Sequence, residues 1–571
     1  MRHDGSVPFA QTTRTSDDIV APTLSDPLAR AATARVGGPI GRRALVGRGW
    51  WTPLRLTLVV VTICFGLGVV QKSPCVVPAW SDAATPKAFS HMCYSDIGYL
   101  YAGRGLAQGI LPYTPVDDLP KVAQPATSAE QHQLSIEYPV LTGVWMGLTG
   151  AVTRLIGKNP DVSQLAPSQV SGNLDVQYDS AVFWGVNAVG FFVVLLIAMG
   201  FLVAAQRRRP WDAMYIAAAP VLALTAMINW DVLAIGMVAG ALWAWSTRRP
   251  VVAGIFIGLG AATKLYPLFL LGPLLVLCFR ERKMESFTKA ALAAAVAWVA
   301  VDLPIYLWSP TEYLWFWQFN SSRGPDFGSL WLANSIVRGQ DAAASAHTIN
   351  LVTWVFFGSC CVAIAALGLL AARRPRLPQL MLLVTIAFLL VNKVYSPQYV
   401  LWLLPFAALA RPRWRDLIIW QTCEILYFFA VWMHIANFFV AAGHIDWWYV
   451  MAILIRVGGE LYLAAVVVRD ILLPWHDPVR ADGLSDDPLG GVLDEGIDAE
   501  DEIDRRWRDP GPSPLTERLN WYTGSARHAD GDPPPADSPG VTPASTPGGP
   551  PTSVPSQSPE STPDQDPIYA P

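Results

Sequence analysis

Thirteen apolar stretches, most of them closed at one end by arginine or lysine, leave this chain few folds to adopt. They read at about 54–70, 138–156, 180–205, 213–228, 231–246, 251–265, 267–279, 287–308, 350–372, 378–391, 398–410, 416–436 and 447–472. A membrane-crossing helix needs roughly 20 apolar residues, and lipid tolerates only helices and closed barrels because backbone groups must be satisfied internally. Only 15% of the 571 residues are charged and 52% are hydrophobic, against about a quarter charged in soluble domains. The sequence therefore predicts an all-α polytopic membrane protein, a helical bundle in the cell membrane.

The basic clusters order the spans. Arg42, Arg43 and Arg48, Arg207–Arg209, Arg248 and Arg249, Arg280 with Arg282 and Lys283, Arg373 with Arg374 and Arg376, and Arg411 with Arg413 and Arg415 all sit at segment ends. Placing every cluster in the cytoplasm satisfies the positive-inside rule. Residues 138–156 then have no crossing to make; the alternative is that the cluster in "QRRRP" lies outside against the rule, and we favour a re-entrant or interfacial element. The expectation is 12 spans with both tails cytoplasmic.

Three regions follow: 1–49, polar and disordered; 50–475, the membrane domain; and 476–571, an acidic Pro/Ser/Thr-rich tail ("LDEGIDAEDEID", "SPGVTPASTPGGPP") too poor in apolar groups to fold. No cleavable signal peptide is expected, since the first apolar run begins near residue 54. Five of the seven cysteines fall in apolar segments; Cys75 and Cys93 alone lie in the proposed outer loop. An oxidising exterior would let them form a disulfide; two unpaired thiols are the plainer alternative.

The outward segment ends share a pattern of ionisable or amide groups beside aromatics and proline. These are Asp96, Tyr99 and Arg104; Glu137 and Tyr138; Asn229 and Asp231; Lys264 and Tyr266; Arg323; and Lys393, Tyr395 and Gln398. Ionisable residues at membrane depth are costly and mark functional cavities. Singly, each has a bland reading: Lys264 or Lys393 snorkelling to the interface, Asp231 capping the helix that starts there, Glu137 and Arg323 as solvated loop charges. Together on one face they predict a single polar site.

Several cations with one or two carboxylates suit group transfer from a phosphate-activated donor. Lys264, Arg323 and Lys393 would hold the anionic leaving group, and a carboxylate would take a hydroxyl proton. Phosphate-binding Gly-rich loops, His-Glu-x-x-His zinc pairs and Gly-x-Ser-x-Gly elbows are absent from the sequence, and no soluble domain is large enough for a nucleotide sugar. A donor from within the bilayer follows, with no cofactor, no metal and no nucleic-acid partner.

The strings "SDIGYLYAGRGLAQGILPYTP", "IEYP", "NWDVLAIGMVAGALWAW", "GIFIGLGAATKLYPLFLL" and "VNKVYSPQYVLWLLP" resemble the actinobacterial family 87 glycosyltransferases, which include a polyprenol-phosphate-mannose-dependent mannosyltransferase. The resemblance covers roughly residues 50–475. It implies a GT-C fold, a catalytic Asp in the first extracytoplasmic loop, a polyprenyl-phosphate sugar donor, a lipid-linked or polysaccharide acceptor, and inversion at the anomeric carbon. Asp96 is the position that matches the catalytic acid, with Tyr99, Arg104, Glu137, Tyr138, Asn229, Asp231, Tyr266, Tyr395 and Gln398 around the substrates. Lys264 and Lys393 match motif lysines. No histidine, whether His347, His434 or His444, takes a matching role. A lipid or sugar transporter is the rival reading, though the internal repeats common in transporters are not evident.

Overall fold

Helices running alternately between two ends organise this molecule. The computed structural model describes residues 52–76, 87–125, 132–206, 209–339, 344–438, 444–480 and 487–494; the expected disorder of 1–49 and of the chain after residue 494 lies outside the described residues. The main helices are α1 (Pro53–Lys72), α2 (Asp96–Gly103), α3 (Val140–Ile156), α4 (Leu174–Ala205), α5 (Asp231–Ser246), α6 (Pro250–Ala261), α7 (Leu271–Arg280), α8 (Met284–Trp308), α9 (Pro310–Ser322), α10 (Leu330–Arg338), α11 (Ala346–Leu370), α12 (Leu377–Val391), α13 (Val400–Ala410), α14 (Trp414–Ile435) and α15 (Trp447–Leu472). Six of them, α1, α4, α8, α11, α14 and α15, are long and apolar enough to cross a membrane, and α3, α5, α6, α7, α12 and α13 belong to shorter apolar helices. The chain is an all-α polytopic membrane protein.

The starts of these helices follow local rules. Thr52 caps α1, its hydroxyl accepting from the Arg55 amide at 3.3 Å, and prolines open α6, α9 and α12, where no amide partner is needed. Small residues let helices meet closely. Gly254 and Gly258 of α6 face Ala290 and Ala294 of α8 so tightly that an added Cβ would lie 2.1 and 2.2 Å from their carbonyl oxygens. That is the small-xxx-small contact by which membrane helices pack without hydrophobic drive.

One expectation changes here. Residues 213–228 are not one segment: they form short pieces at Pro210–Ala213, Met214–Ala217 and Pro220–Thr225, because Pro220 has no amide to continue the preceding turn. Helix α3 starts beside α6, with the Leu141 amide on the Ala262 carbonyl at 2.8 Å. It ends where Asp179 of α4 accepts from the Lys158 and Asn159 amides at 2.7 and 2.9 Å. Gly98 of α2 abuts the neighbouring Ser180, so both ends of α3 lie on the Asp96 side of the bundle.

The boundary drawn at residue 475 also moves. Asp477 and Arg480 are buried, as are Val479, Leu489, Val492 and Leu493. Arg376 grips Asp477 with two parallel bonds of 2.8 and 2.9 Å, Arg374 pairs with Asp494, and Arg480 donates to the Arg374 carbonyl at 2.5 Å. Described chain to Asp494 thus packs on the arginine end. Acidic composition looks like solvation in a sequence, but here it neutralises buried guanidinium groups.

Candidate active site

At the opposite end, the start of α2 is stitched to the turn before α5. Ser95 caps α2 and donates to the Met227 carbonyl at 2.7 Å, while the Asp96 amide reaches the Ile228 carbonyl at 2.8 Å. Asp96 therefore occupies the first turn of a helix, where the dipole favours a carboxylate. The loop leading in is tied by the Cys75–Cys93 disulfide and by Lys72, which donates to the Met92 carbonyl at 3.1 Å and lies over the Phe428 ring at 5.1 Å.

Both oxygens of the Asp96 carboxylate are held. Tyr94 donates to Oδ1 at 2.6 Å and Asn229 Nδ2 to Oδ2 at 2.7 Å. Asn229 is a hub: Nδ2 also reaches the Tyr138 hydroxyl at 2.8 Å, and Oδ1 accepts from the Trp230 amide at 2.6 Å with Lys264 Nζ 3.5 Å away. With every polar atom engaged, its side chain is fixed. Lys264 further lies 3.6 Å from Asp231 and 4.9 Å over the Tyr138 ring. It points inward at carboxylates rather than out to an interface. Asp231 does not cap α5; it accepts from Trp402 Nε1 at 2.7 Å.

A second group flanks the first. Strands β1 (Asp326–Phe327) and β2 (Val394–Tyr395) pair in parallel, with the Asp326 amide on the Lys393 carbonyl at 2.8 Å. Lys393 Nζ donates to the Ser321 carbonyl at 3.1 Å and to Asn350 at 2.9 Å, and Arg323 pairs with Asp326 at 2.6 Å. Arg104 of the first loop pairs with Glu137 and donates to the Gln133 carbonyl at 2.6 Å.

Electrostatics joins the groups. Glu137 feels Arg104, Arg323 and Asp96, and the Tyr399 phenol feels Arg323, Asp231, Asp326 and Asp96. Burial pushes the Asp96 carboxyl above the usual carboxylate range, against the opposing pull of Tyr94, Asn229 and Lys264. Burial likewise raises Glu137, and it lowers the Lys393 ammonium, with Arg323 adding to that effect. A carboxylate that holds its proton more tightly is a stronger base near neutral pH. No cluster of three or more His, Cys, Asp or Glu side chains suited to a metal occurs among the described residues.

The remaining residues singled out from the sequence differ in placement. Tyr99 is on the open face of α2, 71% exposed. Tyr266 is buried, stacked on Trp402 at 4.7 Å. Tyr395 is buried over Glu424, to which its hydroxyl donates at 2.9 Å, and Gln398 is buried and accepts from Ser396 at 2.6 Å. These three are supports beneath the site. Tyr94 and Trp402 went unread. Tyr94 stood two residues from Asp96 in the sequence, which was the available signal; Trp402 gave none, being one tryptophan among 24.

Residues 169–392 match the family profile described as glycosyltransferase family 87, the family that the sequence strings resemble. The match takes in Asn229, Asp231, Lys264, Tyr266 and Arg323, ends at Asn392, and leaves Asp96 on its N-terminal side. Among curated proteins, no match was found.

Proposed function

We propose that this membrane protein, matched over residues 169–392 to glycosyltransferase family 87, transfers a mannose from a polyprenyl-phosphate donor to a glycolipid or polysaccharide acceptor. The site opens on the extracytoplasmic side of the cell membrane, within a GT-C-like bundle. The observation that carries this reading is the clamped, partly buried Asp96 carboxylate with Lys264 beside it and Arg323 and Lys393 on the flank.

Asp96 takes the proton from the acceptor hydroxyl as its oxygen bonds the anomeric carbon. The bond from that carbon to the phosphate oxygen breaks on the opposite face, which inverts the centre, and its electron pair leaves on the polyprenyl phosphate. Arg323 and Lys393 meet that charge, already poised as donors by the β1–β2 pairing. Lys264, held between Asp231 and Asn229, offsets part of the negative charge that Asp96 and Asp231 carry while Asp96 is ionised. Arg104, Glu137 and Tyr138 line the approach; Asn229, Asp231 and Tyr266 set the position of the base and of Lys264.

Transfer from synthetic polyprenyl-phosphate mannose by the purified protein tests the reading. A positioned general base contributes roughly 10²–10⁴-fold, so Asp96→Asn should lose turnover by about that factor while donor affinity is retained. Turnover near the wild-type rate would remove Asp96 from the role.

A further inference from the structure

Lys72 is out of keeping with its surroundings. It closes α1 at full burial, 0% exposed, and no carboxylate pairs with it among the described residues. Its ammonium lies 5.1 Å over the Phe428 ring and 5.9 Å over the Trp432 ring of α14, and it donates to the Met92 carbonyl at 3.1 Å. A buried charge without a counter-charge is unfavourable, and a methionine would fill the same aromatic surroundings without that penalty. Packing therefore does not explain a lysine here. The contact with Met92 does.

Met92 is the turning point of the segment that delivers the base. Its φ of 56° is left-handed, a region that residues other than glycine enter only under constraint. Around it the Met92 amide reaches the Phe89 carbonyl at 2.9 Å, and the Cys93 and Tyr94 amides both reach the Ala88 carbonyl at 3.0 Å. Those bonds close the turn on itself. The Met92 carbonyl then ties it to α1, taking two donors, Gln71 Nε2 at 2.8 Å and Lys72 Nζ at 3.1 Å. Two residues on, Tyr94 packs between Phe89 and Trp432, the ring that Lys72 also faces, and its hydroxyl donates to Asp96 Oδ1 at 2.6 Å. The end of α1 thus reaches the base through one peptide carbonyl and one indole.

We propose that Lys72 and Gln71 are positioning residues for the base: by gripping the Met92 carbonyl they fix the Tyr94 hydroxyl on Asp96. The assignment rests on the glycosyl-transfer reading for its purpose, but one arm of its test does not require turnover.

The test is the acidic limb of kcat/KM against pH for the full-length protein in nanodiscs, with infrared titration of the Asp96 carboxyl beside it and Asp96→Asn as the blank. Asp96 feels Tyr94, Lys264 and Asp231, and Glu137, Tyr138 and Tyr399 feel Asp96. None of these groups is altered in Lys72→Met or Gln71→Leu. Each variant should move both the limb and the carboxyl titration to higher pH, as loss of the Tyr94 hydrogen bond requires. Each should lower kcat about tenfold and leave KM for donor unchanged. Adding Tyr94→Phe to either should move the limb no further. Gln71→Leu changes no charge, so it separates lost positioning from a lost field, and it decides if Lys72→Met does not fold. The thermal midpoint of Lys72→Met should hold or rise, since a buried charge is gone. A lowered midpoint with limb and titration in place means a merely structural role and overturns the proposal, as do shifts that add to that of Tyr94→Phe. A carboxyl titration that shifts as expected in a protein that transfers no sugar sinks the transferase reading and upholds the positioning.

Discussion

At the scale of single residues, the chemistry depends on how Asp96 is held. It can accept a proton only when ionised, and burial lifts its pKa above the ordinary value of 3.8 while the Tyr94 and Asn229 hydrogen bonds and Lys264 pull it back. Rate should therefore fall as pH drops through that raised value. The same shift has a consequence for stability. The folded protein keeps the Asp96 proton to a higher pH than the unfolded chain, so this group's contribution falls as pH rises between the two values. Tyr94→Phe removes one contact that favours the charged form but keeps the ring between Phe89 and Trp432, at 5.6 and 5.2 Å. Its acidic limb in a profile of kcat/KM against pH should move to higher pH. A limb that stays in place or moves down would show that another group titrates.

At the scale of elements, the flanking cations are placed by a two-residue pairing too short to stand alone, and α14 and α15 support it from beneath. Arg456 lies 3.6 Å over the Tyr395 ring, pairs with Glu460 at 2.8 Å and donates to the Gly328 carbonyl at 3.2 Å. Glu424 accepts from Tyr395 and, at 3.0 Å, from Trp420, while Tyr427 donates to the Tyr395 carbonyl at 2.6 Å. Arg456→Met would leave Glu424 and Glu460 buried without a cation, a loss of about 3–5 kcal/mol by the usual cost of breaking buried pairs. Thermal unfolding in detergent should show a clearly lowered midpoint, and surviving protein should have a raised KM for donor; an unchanged midpoint would reject the network. The same elements show what a sequence can reveal. Apolar runs, basic ends and an Asp, Asn or Lys at a segment boundary are local features, so the bundle and Asp96, Asn229 and Lys264 were legible. Arg456 and Glu424 sit inside apolar runs and acquire meaning only from partners far along the chain. Tyr266, Tyr395 and Gln398 were noticed, but their burial depends on helices packed over them. Pro220 was visible, yet the surrounding apolar residues outweighed it in the reading of 213–228.

At the scale of the whole molecule, the two ends are built on opposite electrostatic plans. At the Asp96 end Arg104, Glu137 and Arg323 stay partly exposed, whereas at the other end Arg374, Arg376 and Arg411 are closed into buried pairs. Arg411 is fully buried between Asp416, 2.5 Å away, and Asp470. Arg376 has Asp477, and its remaining donors reach the Leu409 and Ala410 carbonyls at 2.9 and 2.6 Å. Asp477 comes from beyond the last membrane helix, so the chain after α15 is a clasp joining the starts of α12 and α14 through the end of α13. The Gln379 amide donates to the same carboxylate at 3.1 Å, and the Val479 amide at 3.0 Å. Removing that carboxylate leaves the enclosed guanidinium hydrogen-bonded only to the Leu409 and Ala410 carbonyls, whereas removing residues after Asp494 takes away none of these contacts. Asp477→Ala and truncation after Pro474 should each destabilise the protein by about 3–5 kcal/mol, while truncation after Asp494 should leave the unfolding midpoint unchanged. Transfer by surviving Asp477→Ala protein should keep its wild-type KM for donor, because the lesion lies at the end away from Lys393 and Arg323. A midpoint equal to wild type after truncation at Pro474 would return residues 477–494 to the role of a passive tail.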